Sequence, residues 1–188
     1  MSVWLETDSE HFTARHADGD AQHAVAVLEQ LEGARARLAP LLGELPEGVA
    51  VVLHAGEAQL ALARPALPLR RWSVAPAARR YVAGALAGTT IHVLSPPWLE
   101  HRASGAEDSR AMLLRTPAAL YCRLAVGWAN PRLPPPARLG TIVRARRWAW
   151  LLAGAGAWLS GQTALARPAI TRRLREGSAP AFPPDARD

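Results

Sequence analysis

Apolar residues recur at helical spacing over residues 21–42, and this is the clearest pattern in the chain. Val25, Leu28, Leu31 and Leu38 alternate with glutamates and arginines. One face of a helix here would be apolar and the other charged. The pattern predicts an amphipathic surface helix of about six turns.

Shorter apolar runs flank this helix and predict strands. Residues 12–16 show period-two alternation and are the first predicted strand, and residues 49–54 are typical of a buried strand. Residues 56–64 predict a short helix that ends at Pro65, followed by a loop through residue 80. Residues 81–87 are ambiguous: their alanines favour a helix, while their glycines suit a hairpin into residues 91–94.

The second half of the chain predicts helices. Thr116 and Pro117 suit the start of a helix. After a proline-rich connector over residues 130–136, Thr141 can cap a second helix that ends at Gly161. An arginine-rich helix over residues 164–176 follows.

These elements predict an α+β fold in a single domain over residues 1–188. We expect a small, mostly antiparallel sheet with its amphipathic helix over about residues 1–105. A helical half over about residues 106–188 would follow, truncated at its C-terminal end.

Composition is that of a folded, soluble chain. Of its 188 residues, 49% are hydrophobic and 20% are charged, which excludes a disordered protein. The single cysteine, Cys122, excludes an intrachain disulfide and is expected to be a buried apolar residue. The N-terminus lacks a signal-peptide pattern, and the longest apolar run, residues 148–159, is too short to span a bilayer. We therefore expect no membrane span and a cytoplasmic location.

All 22 basic residues are arginines, and they are unevenly distributed. Residues 1–60 carry ten acids and three arginines, whereas the remainder carries six acids and 19 arginines. Attraction between the two halves of one fold explains this asymmetry, and an anionic partner such as nucleic acid is the alternative. The candidate anion-binding residues are Arg144, Arg146, Arg147, Arg172, Arg173 and Arg175.

Two apolar helical stretches carry a family resemblance. Residues 116–127 read Thr-Pro-Ala-Ala-Leu-Tyr-Cys-Arg-Leu-Ala-Val-Gly, and residues 150–161 read Trp-Leu-Leu-Ala-Gly-Ala-Gly-Ala-Trp-Leu-Ser-Gly. The first resembles the His-Glu-x-x-His helix of gluzincin-type (peptidase MA-like) zinc metallopeptidases, and the second their Trp-Leu-x-Glu-Gly-x-Ala-x-Tyr helix. The resemblance also favours a hairpin at residues 81–94, because an edge strand runs beside the cleft of such peptidases.

In that alignment, none of the positions for the metal ligands and the general base holds a side chain that can fill the role. The two histidine positions fall on Ala119 and Arg123, the general-base position on Leu120, and the third ligand position on Ala153. Catalytic zinc needs three nitrogen, sulfur or carboxylate ligands, and neither alanine nor a guanidinium can supply one. The resemblance therefore implies a metallopeptidase-like fold without a metal or cofactor and without the inherited hydrolysis.

Other polar residues offer weaker candidates. Tyr121 and Trp158 could line the vestigial cleft, with packing as the alternative role. The six histidines do not have metal-ligand spacing; His54 and His92 are expected to stand alone at strand ends.

The preferred function is a non-catalytic pseudopeptidase that binds a peptide or small ligand or has only a structural role. The alternatives are a binder of nucleic acid or another anionic surface, a metal-independent hydrolase, and a structural piece of a larger protein.

Overall fold

The computed structural model describes residues 3–74, 76–106, 108–130 and 148–177 of the chain. Within these residues the structure is α+β, as the sequence predicts. Five strands form one sheet: β1 (Trp4–Asp8), β2 (Phe12–Ala17), β3 (Val49–His54), β4 (Gly84–Ala87) and β5 (Thr90–Leu94). The α-helices are α1 (Ala21–Leu42), α2 (Glu57–Ala63), α3 (Ala66–Trp72), α4 (Pro96–His101), α5 (Ser109–Leu114), α6 (Thr116–Trp128), α7 (Ala149–Leu159) and α8 (Gln162–Arg175). Short 3-10 helices lie at Asp18–Asp20 and Pro76–Tyr81.

The strands lie in the order β1-β2-β3-β5-β4. The outer pairs, β1 with β2 and β4 with β5, are antiparallel, and the central pairs are parallel. The expectation of a mostly antiparallel sheet is therefore corrected to a mixed sheet. The reason is that α1 carries the chain back across the sheet before β3 begins, which places β3 parallel to β2.

The core lies between one face of this sheet and helices α1 and α6. Val49, Val51 and Leu53 alternate along β3 with less buried residues, as a strand packed on one face requires. Leu28, Leu31 and Leu38 are buried on α1, so the helical periodicity of that segment identified its inner face.

Three element predictions need correction. The strand predicted at residues 12–16 is present as β2, but the sequence missed β1 (Trp4–Asp8) before it. The segment expected to be a loop over residues 65–80 contains α3 and a 3-10 helix. Pro65 precedes α3 and Pro68 lies in its first turn, where a backbone N–H has no partner within the helix. Thr116 is already inside α6, whose N-terminal flanking residue is Arg115.

The other element predictions agree with the structure within a few residues. These include α1, β3, α2, the β4–β5 hairpin and the helix near residues 164–176. The proline-rich connector after Asn130 and Thr141 lie outside the described residues.

Candidate functional site

The N-terminal end of β4 lies directly against α6. A β-carbon added to Gly84 would lie 2.8 Å from Cδ1 of Leu120 and 2.7 Å from the carbonyl oxygen of His92. Only a residue without a side chain allows this approach. The side chain of Leu120 thus fills the space between α6 and the edge strand of the sheet.

Helix α7 crosses the other flank of α6 at very short range. A β-carbon on Gly156 would lie 2.6 Å from the carbonyl oxygen of Ala119 and 3.1 Å from Cβ of Arg123. Farther along, Gly127 faces Leu152, so the two helices run antiparallel. Ala153 lies one turn before Gly156, on the same side of α7. The structure therefore brings the turn that carries Ala153 beside Ala119 and Arg123.

The groups at this junction are methyl groups, one leucine and one guanidinium. Within the described ranges, no cluster of three or more His, Cys, Asp or Glu side chains could hold a metal ion. Ala119, Leu120 and Ala153 offer no proton acceptor and no metal ligand.

Arg123 carries the positive charge of the junction in a partly buried place. Burial, together with the nearby positive charge of Arg70, lowers the pKa of Arg123 to about 10. Arg123 is still protonated at neutral pH, and its charge is costly to hold there.

A second group of arginines fixes the segment that precedes β4. Arg71 donates from Nε to the carbonyl oxygen of Val82 at 2.8 Å and from NH1 to Glu57 at 3.0 Å. Arg102 also contacts Glu57 and donates to the carbonyl oxygens of Arg79 and Arg80, each at 2.8 Å. The carboxylate of Glu57 therefore forms ion pairs with both arginines.

The outer edge of β4 is not paired with another strand in the described part of the chain. Leu94 donates its backbone N–H to Ala83, and the register pairs Ala85 with His92. Backbone groups alternate in direction along an antiparallel pair, so those of Gly84 and Leu86 point away from β5. Among the described residues, no strand occupies this hydrogen-bonding edge, and it lies beside α6.

The structure contradicts both proposed cleft-lining aromatics. Tyr121 is fully buried on the opposite side of α6, edge-to-face with Phe12 at 4.9 Å between ring centroids. Its hydroxyl accepts a hydrogen bond from Arg35 at 3.4 Å. Trp158 is 69% exposed, and it points away from α6 because it lies two residues from Gly156 on the helix. The position of each residue along its helix sets the direction of its side chain. Which face of the helix turns inward depends on packing, so the sequence alone could not give it.

The histidines are also arranged differently from the prediction. His54 and His92 do not stand alone: Nε2 of His54 lies 3.1 Å from Nδ1 of His92. Adjacent parallel strands bring these residues together, which spacing along the sequence could not show. Cys122 is buried, as predicted, and burial raises the pKa of its thiol to about 11.

The arginines of α8 do not share one face. Arg172 and Arg175 line a shallow groove along the helix with Arg167, whereas Arg173 lies on another side of the helix. From Arg167 to Arg175 every residue of α8 is exposed. Arg144, Arg146 and Arg147 lie outside the described residues.

Sequence reasoning missed the residues that shape this site. Gly84 and Gly156 permit two close backbone contacts. A glycine inside a helix can signal close packing, but this signal applies equally to Gly154 and could not single out Gly156. The proximity of Arg70 to Arg123 depends on the packing of α3, for which the sequence predicted a loop.

Comparison with protein-family models, with curated proteins and with solved structures found no match to this chain. A search of the described helices finds none with the length and apolarity needed to cross a bilayer.

Proposed function

We propose that this chain is a non-catalytic, peptidase-like domain that binds a peptide in an extended conformation. The binding surface is the outer edge of β4, next to the place where Leu120 of α6 packs against Gly84. The observation that carries the proposal is the outer edge of β4, which no described strand occupies. It lies beside residues of α6 that provide no metal ligand. An extended peptide can add a strand to such an edge through backbone hydrogen bonds.

The residues at the helix junction support a binding role over hydrolysis. A metallopeptidase mechanism needs a metal-activated water and a general base. Ala119, Leu120 and Ala153 can provide neither, and Leu120 fills space against Gly84 instead.

The non-catalytic part is tested by metal analysis and a proteolysis assay on the purified full chain. We expect substoichiometric zinc by elemental analysis and no casein hydrolysis that a chelator abolishes. Stoichiometric zinc together with chelator-sensitive hydrolysis would overturn the proposal.

The binding part is tested by selecting peptides from a random dodecamer library and measuring their affinity by fluorescence anisotropy. Leu86→Pro removes an outward backbone N–H from the edge, where proline is tolerated in a strand. We expect affinity to fall about tenfold or more, as for loss of about 1.4 kcal/mol. Thr13→Ala, on the inner strand β2, serves as the control and should bind normally. Equal binding by Leu86→Pro and wild type would contradict a β4 site.

The second candidate is an anionic surface or nucleic-acid binder, and the exposed arginines of α8 are the observation that favours it. If Arg167, Arg172 and Arg175 bind phosphates, affinity for a duplex oligonucleotide must fall steeply as salt rises. Replacing Arg172 and Arg175 with glutamine would then reduce both the affinity and the salt slope. A duplex affinity insensitive to these changes removes this candidate.

A further inference from the structure

The most exposed large apolar side chains of the described residues lie in helices α2 and α3. Leu62, Leu69 and Trp72 are 82%, 74% and 79% exposed, and no other large apolar residue in the described ranges reaches these values. The two helices follow each other in the chain and contact each other. A single exposed leucine is ordinary on a protein surface, but a group of this kind marks a surface that meets a partner.

The packing of the two helices determines which side faces outward. Leu60 of α2 and Leu67 of α3 are buried in the core. Leu62 and Leu69 each follow one of these residues by two positions, which is about 200° around a helix. Both therefore point away from the core, and Trp72, three residues after Leu69, lies on the same outward side of α3.

Hydrogen bonds of Arg71 hold α3 in place. Its Nε donates to the carbonyl oxygen of Val82 at 2.8 Å, and its NH1 donates to Glu57 of α2 at 3.0 Å. The outward side chains therefore project from helices that are fixed to each other and to the segment before β4.

The same part of the chain is basic. Residues 58–99 contain five arginines and no aspartate or glutamate. Arg70, between Leu69 and Trp72 in the sequence of α3, is exposed, and so is Arg79. The guanidinium of Arg79 lies 6.0 Å from the centre of the Trp72 ring. Exposed tryptophan and leucine beside arginines are typical of a surface that lies on an anionic bilayer.

We propose that α2 and α3 form a docking surface for a bilayer that contains anionic phospholipids. Leu62, Leu69 and Trp72 enter the boundary between headgroups and acyl chains, and Arg70 and Arg79 bind lipid phosphates. Nucleic acid would match the arginines but would leave the leucines in water. A bilayer accepts side chains that project individually, because a fluid interface needs no complementary shape. The proposal is independent of peptide binding at the edge of β4.

The test measures the partition of the full-length protein onto sedimented vesicles. One set contains equal parts of phosphatidylcholine and phosphatidylglycerol, and the other contains phosphatidylcholine alone. We expect about tenfold or more tighter binding to the anionic vesicles, and we expect added salt to reduce this difference. Binding to neither kind of vesicle, or equal binding to both, would overturn the proposal.

Apolar variants test the location of the surface. Leu69→Ala and Trp72→Ala should each weaken partition onto anionic vesicles about tenfold, because each removes apolar area that enters the bilayer. Both side chains are exposed, so the far-UV circular dichroism spectrum should not change. Leu41→Ala on α1 and Trp158→Ala on α7 are matched controls at 67% and 69% exposure and should bind as the wild type does. Unchanged partition of the two α3 variants would place lipid binding elsewhere and overturn the proposal.

Charge variants test the role of the arginines. Arg70→Gln and Arg79→Gln should each reduce the preference for anionic vesicles about fivefold without changing the binding to neutral ones. Helix α8 has exposed arginines of its own, so the double variant Arg172→Gln/Arg175→Gln is the matched control and should keep the full preference. Loss of the preference only in the α8 variant would assign the lipid contact to α8 and contradict the proposal.

Discussion

Two glycines of α7, only two residues apart, have opposite surroundings. Gly156 faces the backbone of α6, where a β-carbon would approach the carbonyl oxygen of Ala119 to 2.6 Å. Gly154 has no heavy atom within 4 Å of the place where its β-carbon would be. One glycine is therefore required by packing, whereas the other only weakens the helix.

Substitution of each glycine by alanine should change stability in opposite directions. Gly156→Ala should lower the free energy of unfolding by about 2 kcal/mol or more, because a backbone carbonyl cannot move aside cheaply. Gly154→Ala should raise it by about 0.5–1 kcal/mol through better helix propensity. Urea denaturation of both variants measures this. Equal effects of the two substitutions would show that α7 does not approach α6 in this way.

His54 makes stability depend on pH. Burial, with a further contribution from His92, lowers its pKa to about 4, below the ordinary value of 6.5. The unfolded chain therefore binds a proton at a higher pH than the folded chain does. Its contribution to stability is complete above about pH 6.5 and is lost as pH falls towards 4.

We expect the free energy of unfolding to fall by about 2 kcal/mol between pH 7 and pH 5. Denaturation curves at several pH values measure this fall. His54→Leu should make the profile flatter over that range, whatever its effect at pH 7. His101→Gln, at an exposed position, should leave the slope unchanged. A wild-type profile that is already flat would contradict the buried, neutral state of His54.

At the scale of elements, hydrogen bonds from Glu32 connect α1 to the turn between β1 and β2. Its carboxylate accepts hydrogen bonds from the Ser9 hydroxyl at 2.7 Å and from the His11 backbone N–H at 2.8 Å. A second oxygen lies 2.8 Å from Nδ1 of His11. Although burial alone would raise the pKa of Glu32, these hydrogen bonds and the His11 charge lower it overall.

Glu32→Ala should cost about 1–2 kcal/mol of stability, since it leaves a backbone N–H and a hydroxyl without their acceptor. Glu29→Ala, one turn away on the exposed face of the same helix, is the matched control and should change stability by less than about 0.5 kcal/mol. Chemical denaturation at pH 7 distinguishes them. A cost shared by both variants would indicate lost helix propensity instead of the turn contact.

Strong periodicity made α1 and β3 predictable, whereas the composition of β1 and α3 gave no clear sign of a strand or a helix. Strand β1 has mostly exposed residues, so it lacks the buried alternation that identifies a strand. Pro65 precedes helix α3 and Pro68 lies in its first turn. These prolines suggested a loop, even though the start of a helix tolerates them. In both places, pairing or packing with distant residues outweighed the local signal.

At the scale of the whole molecule, the sheet and the helical half share one core. Tyr121 of α6 is fully buried against Phe12 of β2 and receives a hydrogen bond from Arg35 of α1. A residue placed in this way belongs to both halves at once. The two halves should therefore unfold together.

Tyr121→Ala should lower the free energy of unfolding by about 3–5 kcal/mol, because it leaves a large cavity. Tyr121→Phe keeps the ring and should cost about 1 kcal/mol or less. Unfolding followed by tryptophan fluorescence and by far-UV circular dichroism should give coincident transitions in both variants. Separate transitions would show that the halves are independent units.

The sequence by itself determined the α+β class, the inner face of α1 and the absence of metal ligands at Ala119, Leu120 and Ala153, because periodicity and side-chain chemistry are local properties. It could not place Tyr121 in the core or bring Arg70 to the neighbourhood of Arg123. Those arrangements depend on which helix faces approach each other, and residues far apart in the chain decide that through packing. The peptidase-like ancestry stays a prediction, and the zinc, peptide and variant measurements decide the function proposed for the edge of β4.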